Sequence, residues 1–276
     1  MTGMPGVVTT RPAGTSVPPA LITTLDCMVA VARSQVLMFV KRPMNLATGV
    51  INPLMFLALL FLPRLSTITP PQATSALSGA LLASLWSSTM WSGAGILRRE
   101  RWQGTLAASV TGRLHPLLVI VAKTVGGVIF DTGLIVASCA VFILAFRVRL
   151  QVVHPGAVAI GLVSVVVCGT ASSLLIGGVL VLSRYARQLT MAFGTPVLLL
   201  GGMLIPASML PAWIGWISYA VNLSWLHRFM ASLAGPPAWG ALLIGYGITL
   251  AYVVGAILLF GRMLARARRE ATLELI

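Results

Sequence analysis

The chain has 276 residues, of which 58% are hydrophobic and 9% charged, with a mean hydropathy of +0.96. Soluble domains carry about 25% charged residues, and a soluble protein of this composition would expose apolar patches beyond what monomers tolerate. An ordinary soluble domain is excluded, and an integral membrane protein is expected, because hydrocarbon penalises ionisable groups.

Nineteen Lys and Arg against five Asp and Glu give a formal charge of +14. In a soluble chain that balance reads as nucleic-acid binding. Here the bases flank apolar runs, so membrane topology is the better account and no nucleic-acid partner is expected. Cys27, Cys139 and Cys168 share no short spacing, so neither a zinc site nor a disulfide frame is indicated.

Residues 1–20 are rich in Thr, Pro and Gly and lack an apolar signal-like core, and a disordered cytoplasmic tail is expected. Residues 21–42 place apolar side chains at helical spacing, interrupted by Asp26, Arg33, Gln35, Lys41 and Arg42. They read as an amphipathic helix along the cytoplasmic interface, or as the lead-in of the first membrane helix. A bilayer core of ~30 Å needs about 20 helical residues. Spans are expected at about 44–62, 76–96, 117–146, 156–182, 190–205 and 238–261. The first contains Asn45, Asn52 and Pro53, the second is rich in Ser, Gly and Ala, and the fifth is broken by Pro196 and Gly201–Gly202.

Between the second and third spans the chain surfaces for one basic island, 97–116 (LRRERWQGTLAASVTGRLHP). An apolar chain that emerges briefly and dives again makes a hairpin, and its turn is where a soluble partner can take hold. Residues 206–237 carry Pro206, Pro211, Pro236 and Pro237 together with Trp213, Trp216, Tyr219 and Trp225. They read as two short re-entrant helices at the outer lipid–water boundary, before the last span. Residues 262–276 form a basic cytoplasmic tail.

The fold class is thus all-α: six transmembrane helices, an N-terminal interfacial helix and re-entrant helices before the last span. Both termini then lie on one side. Fourteen bases fall on the proposed cytoplasmic parts and four (Arg64, Arg147, Arg149 and Arg228) on the outer parts, with Lys123 at a boundary. That asymmetry places the ends inside.

No GxxxxGK[ST], HExxH or GxSxG occurs, and three scattered histidines and five scattered acids form no triad or carboxylate pair. No catalytic residue, metal site or cofactor is expected in this chain. Asp131 lies within the third span. A carboxylate at a helix centre costs about 2.5–3.5 kcal/mol on insertion scales, so it should face protein or water. It reads either as a pathway residue or as a satisfied interhelical hydrogen bond.

Three segments resemble the membrane subunits of type-2 ABC exporters. VKRP with NPLMFLALLF (Val40–Pro43 and Asn52–Phe61) is similar to the basic interfacial helix leading into the first span. RRERWQGTL (Arg98–Leu106) is similar to an E-R-x-x-G-T motif after the second span. Gly201–Met230 is similar to the signature around the fifth span, with Asn222-Leu223 where a proline is usual. Daunorubicin and polyketide exporters are the nearest in character.

The resemblance implies a permease subunit, homodimeric or paired with a paralogue, in the bacterial plasma membrane. A separate ATPase subunit would bind ATP and magnesium. Arg98, Arg99, Glu100, Arg101, Gly104 and Thr105 would couple the chain to that ATPase. Asn52 and Asp131 would line the pathway, and Met203, Leu204, Ile205, Pro206 and Met209 would form an apolar outer gate. The cargo would be a hydrophobic or amphipathic drug, polyketide or lipid. A polysaccharide or teichoic-acid exporter and a non-transporting membrane scaffold are the rival readings.

Overall fold

A computed structural model describes residues 20–64, 67–90, 95, 115–183, 186–204 and 212–270. Among these, every regular element is helical: α1 (Ala20–Val40), α2 (Pro43–Phe61), α3 (Pro70–Ser88), α4 (Pro116–Phe146), α5 (Pro155–Leu182), α6 (Ala186–Leu200), α7 (Ala212–Ala220), α8 (Asn222–Ala231) and α9 (Trp239–Glu270). Short 3-10 turns follow α2 and α8. Four helices, α2 to α5, begin on a proline. A proline there gives up an amide that has no intrahelical acceptor, and its fixed φ suits the first turn. At the start of α3 the Thr69 amide donates to Gln72 Oε1 at 3.2 Å, and at α4 the Leu117 amide donates to His115 Nδ1 at 3.3 Å. α4 stops at Arg147, which takes a left-handed conformation (φ 48°) while the Val148 amide closes onto the Ile143 carbonyl.

Among the described residues, four segments are long and apolar enough to cross a membrane: Asn45–Arg64 in the α2 region, Pro116–Phe146, Pro155–Leu180 and Trp239–Met263. They correspond to the first, third, fourth and sixth expected spans. The two others fall short for different physical reasons. α3 begins at Pro70 rather than 76, and over its described extent, Pro70–Ser88, Gln72, Thr74 and five serines dilute its hydropathy. α6 has 15 residues, about 22 Å at 1.5 Å per residue. α9 continues to Glu270, so the first part of the expected tail is helical.

Contacts fix the directions of the long helices. Gly49 packs on Leu134 and the Phe61 and Phe142 rings lie 5.4 Å apart, so α2 and α4 run parallel. The Tyr246 hydroxyl donates to Ser164 Oγ at 2.8 Å, the Cys168 thiol to Thr249 Oγ1 at 3.3 Å, and Gly255 packs on Leu175. α5 and α9 therefore also run parallel. The Ala32 carbonyl sits on Gly126 and the Phe39 ring meets Phe130 edge-on at 5.8 Å, so α1 follows the first half of α4 in the same direction.

α3 is the central rod. Ser78 through Trp86 are all buried, and α3 touches α2, α4, α5, α6 and α8. A helix enclosed by neighbours does not need an apolar face toward lipid. Its Ser, Gly and Ala let backbones approach closely, which is how helices associate in a membrane. At one end of the bundle Thr74 Oγ1 bonds both the carbonyl (2.9 Å) and the amide (3.2 Å) of Gln151, and the Val153 amide donates to the Leu233 carbonyl at 3.1 Å. That end gathers the start of α3, the α4–α5 loop and the turn after α8.

Candidate functional site

The site is the junction of α3, α8 and the turn after α6. α6 ends where the Gly201 amide returns to the Val197 carbonyl at 2.7 Å and Gly202 takes φ 72°, a left-handed turn that suits glycine. The chain then lays the Met203 carbonyl directly on Gly79 of α3, leaving no room there for a Cβ. One residue earlier in α3, Ser78 directs its hydroxyl proton to the Ser75 carbonyl (2.8 Å), so His227 Nδ1–H of α8 is the donor to Ser78 Oγ at 3.0 Å. Ser224 of α8 donates to the Gly201 carbonyl, and Trp86 Nε1–H of α3 donates to the Gly194 carbonyl of α6 at 3.1 Å. Three elements distant in sequence are thus latched together by side chains.

Asn222, the first residue of α8, holds the other side of this junction. It is fully buried, and its amide is used completely. Nδ2 donates to the Cys168 carbonyl and to Thr249 Oγ1, each at 3.2 Å. Oδ1 accepts from Ser172 Oγ at 3.0 Å and from the Leu223 amide at 2.9 Å. Thr249 is saturated in turn: its proton goes to the Gly245 carbonyl at 2.7 Å while it accepts from Asn222 and Cys168. One side chain therefore ties α8 to α5 and α9. The Tyr252 hydroxyl of α9 adds a bond to the Ala220 carbonyl at the end of α7, at 2.9 Å.

Of the gate residues expected from sequence, Met203 is buried at 3% exposure and Leu204 is half-buried, both beside this junction. Ile205, Pro206 and Met209 lie outside the described residues, as do Arg98, Arg99, Glu100, Arg101, Gly104 and Thr105. Asn52 sits away from the junction and donates to Ser87 Oγ of α3 at 3.2 Å.

Asp131 is 5% exposed and is not left without a partner. It is the midpoint of α4 in sequence. The neighbouring Phe130 meets Phe39, just before Lys41–Arg42, so Asp131 lies level with the break between α1 and α2. Measured from the Gly49–Leu134 contact, this is within about one turn of the start of α2. Along the axis of α4 it is therefore level with Lys41–Arg42 in the α1–α2 break.

Gly79, Ser78 and His227 are not singled out by sequence. The signal for Asn222 was present as a departure: an asparagine where a proline is usual in the motif it resembles.

An all-helical bundle with several membrane-length helices, stitched by buried polar side chains and holding no metal-binding cluster among its described residues, belongs to the multi-pass membrane proteins. The sequence profile of the ABC-2 type transporter family matches residues 27–233, three quarters of the chain and all three motif segments. The chain belongs to that family and is a membrane component of a transporter, a class that normally works with an ATPase partner. No curated protein matches it.

Proposed function

We propose that the chain is one permease subunit of an ATP-driven exporter that moves a hydrophobic or amphipathic cargo out of the cytoplasm or inner leaflet. The observation that carries this reading is α3. One end is latched to α8 and to the Met203 turn, and the other leads into the basic segment 91–114. A push on that segment has a continuous, enclosed rod through which to reach the opposite end of the molecule.

The six-crossing topology is supported by the two parallel pairs. If α2 and α4 cross in the same direction, the chain must return between them, and α3 is the element available. If α5 and α9 do so, α6 with the segment after it must make the return. α6 is too short to cross alone at about 22 Å, and it is covered by α3 and α5 rather than by lipid alone. Under this topology both ends are cytoplasmic, and α7 and α8 are the re-entrant pair at the outer boundary. A second permease subunit and the ATPase complete the transporter, with ATP and magnesium on the ATPase. Daunorubicin-like or polyketide cargo follows from the motif resemblance and fits a chain with few charges in any span.

Coupling through Arg98, Glu100 and Arg101 is tested by the double substitution Glu100→Ala with Arg101→Ala. Membrane insertion and co-purification of the second permease subunit should persist, while cargo-stimulated ATP hydrolysis by the complex should fall at least about tenfold, a loss of roughly 1.4 kcal/mol or more of coupling. Unchanged stimulation refutes the coupling role.

A further inference from the structure

Arg228 stands at the α7–α8 corner with its guanidinium against two aromatic rings. Its Cζ lies 4.7 Å from the Tyr219 ring centroid and 4.5 Å from that of Trp225. The two rings are themselves only 5.7 Å apart and inclined at 54°. The two rings are inclined to each other rather than parallel, so they form a V against which the half-buried guanidinium lies. Trp225 and Arg228 are three residues apart on one face of α8. Trp225 Nε1–H donates to the Tyr219 carbonyl at 3.0 Å, which fixes the V before anything binds.

The cation lacks a counter-ion from its own half of the chain. No Asp or Glu occurs between Asp131 and Glu270, a stretch that contains all of α5 to α8. Among the described residues the guanidinium faces the two rings and makes no hydrogen bond or ion pair. Cation–π contact supports the charge but uses none of the five N–H donors, which point outward in the guanidinium plane. The surroundings are those of a lipid–water boundary: Trp216 is 66% exposed, Tyr219 53% and Trp239 47%, clustered at this end of the bundle. A planar fork of free donors, half-buried at that level, matches the paired oxygens of a phosphate.

We propose that Arg228, held by Tyr219 and Trp225, binds a phosphate group at this boundary, supplied by the headgroup of a lipid in the outer leaflet. The leaflet assignment rests on the topology proposed above; the site itself requires only that this end of the bundle meets headgroups. Its role is to seat one anionic lipid against the α7–α8 corner, beside the latch that joins α8 to α3.

The test is native mass spectrometry of the full-length chain, purified with its partners and supplied with phosphatidylglycerol. Wild type should retain bound lipid. Arg228→Gln should lower retention about tenfold, the loss expected for charge-assisted bonds to a phosphate. Arg228→Lys, which keeps charge but not the fork, and Tyr219→Leu, at an exposed ring, should each give a partial loss in a chain that still folds. Arg149→Gln, an exposed base at the same end, should behave as wild type. Added millimolar inorganic phosphate that leaves the lipid in place supports a lipid source. Displacement supports the same phosphate site filled from solution. Retention unchanged in Arg228→Gln, or lost equally in Arg149→Gln, overturns the proposal. No ATP or transport enters the measurement, so its failure leaves the exporter reading standing, and failure of that reading leaves the site standing.

Discussion

Asn222 shows what a single amide does in an enclosed helical bundle. Its four bonds satisfy a serine, a threonine, a backbone carbonyl and a backbone amide on three helices. Hydrogen bonds in a membrane protein average about 0.6 kcal/mol each, so Asn222→Ala should cost roughly 2 kcal/mol and lower the thermal midpoint in detergent by several degrees. An unchanged midpoint would mean that α8 is held elsewhere. Gly79 makes the complementary point by lacking a side chain. Gly79→Ala puts a methyl onto the Met203 carbonyl, a backbone atom with little freedom to give, and over-packing of this kind costs about 1–3 kcal/mol. The Met203 turn should lift from α3. A cysteine placed at Leu204 should then react with a soluble maleimide several-fold faster than in the Gly79 background. Gly79 does not stand out in sequence and Asn222 does so only as a departure from a motif, because both acquire meaning from what the fold brings against them.

At the scale of elements, the α4 and α5 boundaries and the start of α9 were legible because long apolar runs between prolines and basic loops leave few alternatives. α3 and α6 were harder. Hydropathy assumes that a crossing helix meets lipid, and α3 meets protein on every side from Ser78 to Trp86. Its true start was nevertheless written in Thr69, Pro70 and Gln72, a cap signal outweighed by the hydropathy of the residues after it. α1 packs on α4 through Ala32 and Phe39, yet leaves Leu25, Val29, Leu37 and Val40 exposed, an apolar face that suits a lipid boundary. Gly126→Val should push α1 off α4, since the added carbons meet the Ala32 backbone. Limited trypsin digestion should then cut at Lys41–Arg42 several-fold faster; an unaltered cleavage rate would show that α1 is not held by that contact.

For the whole molecule, the two parallel pairs and the enclosed α3 describe a body whose two ends are joined by packed helices. Asp131 belongs to this scale as well. Sequence put it at the middle of a span, and it is the midpoint of the membrane-length helix α4, level with the α1–α2 break. Only the alignment of α1 and α2 along α4 reveals that neighbourhood. The residues in 98–105 proposed for coupling, and 205, 206 and 209 proposed for the gate, lie outside the described residues, so these proposals rest on motif and position.

The account stands on the claim that this chain is a conduit worked by another subunit's ATP cycle. ATP-dependent accumulation of an amphipathic cargo in inverted membrane vesicles, measured with and without the partner ATPase, tests it most directly. The prediction is accumulation only when the permease chain, the ATPase and ATP are all present. Accumulation driven by the permease chain without the ATPase, or none with the complete set across amphipathic cargoes, would contradict it.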